Sequence, residues 1–251
     1  MSIIKSKNDQ DTENTKDNTL YKIQPVHLDE PKNSKLLSDN VHYLKLLWQE
    51  QGNNFNIDCE LELAVHKNKS KSIMLIVPGV DGSVDGYKDK YIQIANNAVK
   101  TNNMSVVRMS NPYIGAHYWQ SNVRTAIQYI EDNAINICGY KDFQLSIVGH
   151  SIGAFVTGQI AWEYPFIHNI LLINPASIID LQPLMNGLSD YKGKATIIIG
   201  SKDPAYKRLN EFNQFELSKK TKVKVIDGAD HHFSGKYLDT FIGLTDNYLK
   251  T

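Results

Sequence analysis

Six short segments of this chain are apolar at nearly every position: Ser72 to Val77, Ser105 to Met109, Phe143 to Val148, Asn169 to Ile173, Ala195 to Ile199 and Val223 to Ile226. A strand with one wet face alternates apolar and polar residues, whereas a strand that is apolar throughout is covered on both faces. Stretches compatible with helices separate them, at Asp89 to Lys100, Gln120 to Asn133, Ser151 to Glu163 and Ala205 to Ser218, and Lys236 to Tyr248 follows the last. Such alternation predicts an α/β fold, with a mostly parallel sheet, right-handed crossovers and helices on both faces. The 251 residues suffice for one domain of this kind.

Asn56 to His66 differs, with Ile57, Cys59, Leu61, Leu63 and Val65 alternating against Asp58, Glu60 and Glu62. That pattern predicts a half-solvated strand near a sheet edge. Tyr21 to Gln51 is mixed and supports no assignment. Residues 1–20 are rich in Lys, Asn, Asp, Thr and Gln and are expected to be a disordered polar tail, leaving 21–251 as a single domain.

Charge is balanced, 27 basic against 27 acidic residues, and no basic block interleaves with aromatics, which argues against nucleic acid as a partner. No apolar stretch reaches bilayer length and the N-terminus lacks a signal-peptide core, so a cytoplasmic protein without a membrane span is expected. Cys59 and Cys138 form no Cys-x-x-Cys pair and are expected to be buried, reduced thiols.

Chemistry enters at Gly149-His150-Ser151-Ile152-Gly153, a G-x-S-x-G pentapeptide between a predicted strand and a predicted helix. A serine at the tip of so sharp a turn adopts a strained backbone that lifts its hydroxyl above the sheet. The residues two before and two after it crowd strand and helix, and here both are glycine. A serine hydroxyl is a weak nucleophile and needs a base held by a carboxylate. Parallel sheets place such groups at the carboxyl ends of their strands. Asp203 follows the run ending at Ile199, and His231 follows the run ending at Ile226, giving the order nucleophile, acid, base.

These motifs make the chain resemble the α/β-hydrolases from about Ile57 to its C-terminus. Gly200 to Asp203 matches that family's loop for the acid, and Gly228 to His231 its loop for the base. The resemblance implies that His231 takes the proton of Ser151 and that Asp203 orients the imidazole, with no cofactor and no metal. Backbone N–H groups of Ile152 and Val80 would stabilise the oxyanion. Val80 lies in Pro78-Gly79-Val80-Asp81-Gly82-Ser83, which is similar to the family's His-Gly loop but carries Pro78 where histidine is frequent.

Neighbouring residues receive other roles. His232 is expected to pack or face the surface, His150 to support the turn, and Asp180 is a reserve acid. A zinc site of His150, His231 and His232 lacks suitable ligand spacing. Asp81, Ser83, Asp85 and Gly86 match the start of a calcium loop, but its twelfth position is Ile92 rather than glutamate, which rejects that reading. A malonyl-transferase-like site is disfavoured by Ala154 and by the absence of arginine between Arg124 and Arg208.

Residues 174–194 leave room for a small lid. Their Ile178, Ile179, Leu181, Leu184, Met185 and Leu188 either cover an acyl group or pack on the core. With Asp81, Asn111, Tyr113 and Trp119, Leu184 is a candidate for the pocket wall. The expected substrate is a small or medium acyl ester or thioester. An acyltransferase using the same triad and a silent binding module on the same fold are the alternatives.

Overall fold

A computed structural model of the protein describes residues 26–27, 41–51, 56–214 and 221–249. The expected N-terminal tail lies outside these, as does the end of the helix expected to reach Ser218. Nine strands occur among the described residues: β1 (Val26–His27), β2 (Val41–Gln51), β3 (Asn56–His66), β4 (Ser72–Val77), β5 (Ser105–Met109), β6 (Gln144–His150), β7 (Ile167–Ile173), β8 (Lys194–Gly200) and β9 (Thr221–Ile226). The helices are α1 (Lys90–Asn102), α2 (Trp119–Cys138), α3 (Ile152–Ile160), α4 (Gln182–Asp190), α5 (Leu209–Gln214) and α6 (Leu238–Tyr248). No helix among the described residues is long and apolar enough to cross a membrane.

The strands form one sheet in the order β1-β2-β3-β5-β4-β6-β7-β8-β9. Pairing is antiparallel from β1 to β5 and parallel from β5 through to β9. The chain runs outward from β4 to β5, then recrosses to β6 on the other side of β4. That reversal opens a crevice between the loops that follow β4 and β6. One face of the sheet packs against α1 and α6, with Ile94, Ala95, Phe241 and Leu244 on Met74, Ile76, Val148 and Leu171. The other packs against α2, α3, α4 and α5 through residues such as Val123, Ile130, Val156 and Phe212. Each fully buried side chain of this size contributes about 1.5–3 kcal/mol.

The antiparallel side differs from expectation. β3 is an inner strand, paired with β2 along its length and with β5 at Leu63 to His66. Its alternation holds only up to Glu62; beyond that both faces are buried. The unassigned stretch before it supplies β2, whose buried Leu44, Leu46 and Trp48 alternate with more exposed residues. Leu47 and Tyr43 on the opposite side obscure that period in the sequence.

Arg108 closes the second face of β3. Its guanidinium is fully buried and donates to His66 Nε2 at 2.9 Å, the Val84 carbonyl at 2.6 Å, Asp85 Oδ1 at 2.6 Å and the Tyr43 hydroxyl at 3.0 Å. Because arginine only donates, His66 Nε2 must accept. Burial, with the adjacent guanidinium, holds His66 down at about 3 and therefore neutral. Asp85, one of the apparent calcium ligands, is thus engaged by Arg108.

Residues 174–194 form a loop and α4, the crossover between β7 and β8. Leu181, Leu184, Met185 and Leu188 are buried in the core rather than presented to a substrate. Leu184 sits so close to α3 that a Cβ on Gly158 would approach its Cδ1 to 2.1 Å. Only Ile178 stands clear, at 90 % exposure. Both cysteines are buried and free.

Candidate active site

β6 ends at His150, α3 begins at Ile152, and Ser151 between them has φ 58° and ψ −121°. A positive φ at a residue with a Cβ is strained and persists only when its surroundings enforce it. Here the Ser151 N–H donates to the Ile173 carbonyl at 2.9 Å, and its carbonyl accepts from Phe155 and Ala176 N–H, each at 3.1 Å. The turn also requires its two glycines. A Cβ on Gly149 would lie 2.6 Å from Ala154 Cα, and one on Gly153 would lie 2.4 Å from the Pro78 carbonyl oxygen.

The structure brings Ser151, His231 and Asp203 together. Ser151 Oγ and His231 Nε2 are 3.0 Å apart, and His231 Nδ1 hydrogen-bonds Asp203 Oδ2. Asp203 is buried, and its other oxygen accepts the Ala205 N–H at 2.6 Å, which caps the short turn after β8. The loop carrying His231 is held by its backbone. His150 Nε2 lies 2.8 Å from the His231 carbonyl and Asn174 Nδ2 lies 3.0 Å from it. The Asn174 Oδ1 accepts the Gly200 N–H at 2.8 Å, so one side chain joins the ends of β7, β8 and the histidine loop. Sequence reasoning passed over Asn174; its signal was an asparagine immediately after a buried strand.

A carbonyl can only accept, so His150 carries its proton on Nε2. Burial first, then the Lys90 charge, holds this ring well below the usual histidine range, and it stays neutral. It ties the end of β6 to the loop that carries His231. His232 is lowered by burial and by the charges of His231 and Lys90. Its ring lies edge-on to His231 with centroids 5.1 Å apart.

Opposite the serine, the loop after β4 comes so close that a Cβ on Gly79 would stand 3.1 Å from Ser151 Cβ. A buried chain of side chains fixes this loop. Trp48 Nε1 donates to Asn122 Oδ1 at 3.0 Å, Asn122 Nδ2 donates to Asn111 Oδ1 at 3.0 Å, and Asn111 Nδ2 donates to the Pro78 carbonyl at 3.1 Å. Backbone bonds from Asp81 N–H to the Asn111 carbonyl and from Asn111 N–H to the Gly82 carbonyl, both 2.9 Å, complete the clamp. The loop with Pro78 is therefore anchored from β2 through α2.

A cleft of about 480 Å³ opens over Ser151 and His231, bounded by Pro78 to Ser83, Tyr87, Lys90, Tyr91, His150 and His232. Of the residues expected in its wall, Asp81 is present, and Val80, expected as an oxyanion donor, lines it too. Asp81 turns its carboxylate to the Tyr113 N–H at 2.8 Å. Asn111 is buried in the clamp, and Leu184 lies in the core. Tyr113 and Trp119 pack on each other with centroids 5.9 Å apart, outside the cleft. Asp180 accepts the Gln182 N–H at 3.0 Å at the start of α4 and stays away from His231. A second cleft of about 450 Å³ lies at the opposite strand ends, and none of its lining residues is a serine, cysteine or carboxylate.

Lys90 escaped sequence reading. It is the first residue of α1, only 3 % exposed, and its ammonium lies 4.1 Å from the Phe241 ring centroid. Burial pushes it down to about 8, against a smaller upward pull from Asp230.

No protein-family model matches the chain, and no curated protein resembles it significantly in sequence. Solved structures do. An esterase of Pyrococcus furiosus, Pf2001, shares 14 % identity at a TM-score of 0.64, covering 92 % of this chain and 97 % of that one. Est1E from Butyrivibrio proteoclasticus shares 12 % identity at 0.58, covering 82 % and 99 %. XC6422 from Xanthomonas campestris, described as an a/b serine hydrolase without lid, shares 16 % at 0.52, covering 80 % and 92 %. With its sheet order and this likeness, the chain has the α/β-hydrolase fold.

Proposed function

We propose that the protein is a serine hydrolase that cleaves a small or medium acyl ester or thioester through an acyl-enzyme on Ser151. The observation that carries this reading is the hydrogen-bonded chain from Ser151 Oγ through His231 to Asp203 at the mouth of an open cleft. His231 Nε2 takes the hydroxyl proton as Oγ bonds to the substrate carbonyl carbon, and the carbonyl π pair moves onto oxygen. The Asp203 carboxylate stabilises the imidazolium at Nδ1. The N–H groups of Val80 and Ile152 face the oxyanion, and each such donor is worth about 10²–10³ in kcat. Nε2–H then protonates the departing alkoxide or thiolate as its bond to carbon breaks. Water, deprotonated by the same nitrogen, attacks the acyl carbon; the bond from that carbon to Oγ then breaks as Nε2–H returns its proton to Ser151, releasing the carboxylic acid. Residues of this chain supply every step, and no cofactor is invoked.

The test is labelling of intact protein with a fluorophosphonate probe. Labelling confined to Ser151, with Ser151→Ala unlabelled and its turnover reduced on the order of 10⁴-fold or more, is the expected outcome. Well-folded wild-type protein that resists the probe, or turnover near wild type in Ser151→Ala, overturns it.

A further inference from the structure

Lys90 breaks three rules at once. It is a buried lysine, and among the described residues its ammonium makes no ion pair or hydrogen bond. It also occupies the first position of α1, the positive end of the helix, where a carboxylate is favoured and a cation is not. Its close contacts are with aromatic faces, Phe241 at 4.1 Å and Tyr91 at 5.2 Å. A residue that violates local rules without compensation in the fold points to a ligand that supplies it.

The surroundings say which ligand. Lys90 lines the cleft that contains Ser151 and His231. The groups facing it are His150 on β6, neutral by burial, and His232 and Asp230 on the loop after β9. Asp230 Oδ1 accepts the N–H groups of His232 at 3.1 Å and Ser234 at 2.8 Å, and this carboxylate pulls on the Lys90 charge only from beyond ion-pair distance. The Phe241 ring links Lys90 to the reacting centre: His150 meets it edge-on at 5.5 Å, and His150 is in turn 5.2 Å from His231. The cleft therefore offers a fixed, desolvated positive charge two rings, Phe241 and His150, away from His231, beside helix N–H groups that add to the same potential.

We propose that Lys90 determines specificity by binding a carboxylate, so that the preferred substrate is an ester or thioester carrying a free carboxylate, held by the ammonium while its carbonyl meets Ser151. This rests on the serine-hydrolase reading for the turnover but not for the binding. The carboxylate belongs either to the acyl half, as in a dicarboxylic half-thioester, or to the leaving group. In both cases the contact is a charge-assisted hydrogen bond in a partly water-excluded site, the setting where such bonds are strongest.

The experiment measures thiol release from matched thioesters by wild type, Lys90→Met and Lys90→Arg. For the acyl half, the succinyl, glutaryl and adipyl thioesters of N-acetylcysteamine are compared with the pentanoyl thioester. For the leaving group, S-butyryl-3-mercaptopropionate is compared with its methyl ester. In one arm, wild type should prefer the anionic member by about 10- to 100-fold in kcat/KM, a ratio that Lys90→Met brings close to one and Lys90→Arg partly restores. A wild-type ratio near one in both arms, or a ratio that Lys90→Met leaves unchanged, overturns the proposal and makes Lys90 a packing residue. Calorimetry of glutarate binding to Ser151→Ala and to Ser151→Ala/Lys90→Met separates the two readings. Binding that disappears with Lys90 supports the carboxylate site even if no thioester is turned over. Absent or equal binding in the two proteins, together with equal ratios, rejects it while leaving the hydrolase reading to its own probe.

Discussion

Replacing Lys90 with methionine should make the protein more stable, and the size of the gain follows from where the ammonium sits. Burial lowers Lys90 from a lysine's usual 10.5 to about 8, with Asp230 opposing. At neutral pH both the folded and the unfolded chain carry the charge, and a depression of that size corresponds to a cost of about 3 kcal/mol. Methionine matches the stem in length and removes that cost. It also gives up the ammonium's attraction to the Phe241 ring, worth about 1–2 kcal/mol where water is excluded. The net gain is about 1–2 kcal/mol, a Tm increase of roughly 2–8 °C for a chain of this size. The advantage of the variant depends on pH in a defined window. Below about 8 both states hold the proton and the penalty is constant. Between about 8 and 10.5 the folded state has released it while the unfolded state has not, so wild type gains stability and the advantage of the variant shrinks. The Lys90 charge helps to lower His150 and His232, but both rings are neutral and Asp230 is ionised throughout that window, so they do not change its slope. Urea denaturation of the pair at neutral pH and at successively higher pH up to the lysine range measures it. A variant less stable than wild type at neutral pH, or a difference that stays constant through that window, refutes the reasoning.

Two substitutions probe the scaffold under the serine. Gly153→Ala places a methyl 2.4 Å from the Pro78 carbonyl and 2.5 Å from that of Val77. Thermal denaturation should register a loss of about 1–3 kcal/mol, with slower fluorophosphonate labelling because strand, loop and helix can no longer close together. A variant indistinguishable from wild type in both would show that the turn has slack. Asn122→Ala leaves the buried Trp48 indole N–H and the Asn111 side-chain carbonyl without their partner, and should cost about 2–4 kcal/mol in urea titrations while lowering kcat more than it raises KM. A change in stability with unaltered kcat would mean that the loop after β4 holds its shape without the clamp.

Most of the parallel half was legible because strands buried on both faces leave a continuous apolar signature; β9 departs from that expectation, an edge strand with no fully buried residue and Val225 38 % exposed. β4 and β5 match the expected residues, and Ser151, Asp203 and His231, which the structure brings together, were singled out because each comes soon after the end of a predicted strand. The antiparallel half was obscured. In β2 the inward residues Leu44, Leu46 and Trp48 are interleaved with Tyr43 and Leu47, whose apolar character masks the period of two. The pocket walls were misassigned for a different reason. Aromatic or aliphatic side chains near a strand end look alike in sequence whether they face a ligand, a helix or solvent: Leu184 is buried in the core, Trp119 is partly buried, and Tyr113 stands 56 % exposed beside it. Asn111, Asn122 and Asn174 act through contacts between residues far apart in the chain, so no local pattern announces them. Lys90 stayed hidden because a lysine before an apolar helix reads as a solvated end, and only its depth in the cleft makes it unusual.

The buried guanidinium of Arg108 has a consequence for how the chain comes apart. Its partners come from β2, β3 and the segment between β4 and α1, so four stretches must be in place before its charge is answered. A state in which the parallel core persisted while β2 had peeled away would keep Arg108 in a low-dielectric site missing a partner. Leaving a buried charge without one costs roughly 3–5 kcal/mol. Such halfway states are selected against, and the antiparallel edge, which looks like an appendage to the parallel sheet, is bound into the same all-or-none transition as the strands that carry the serine.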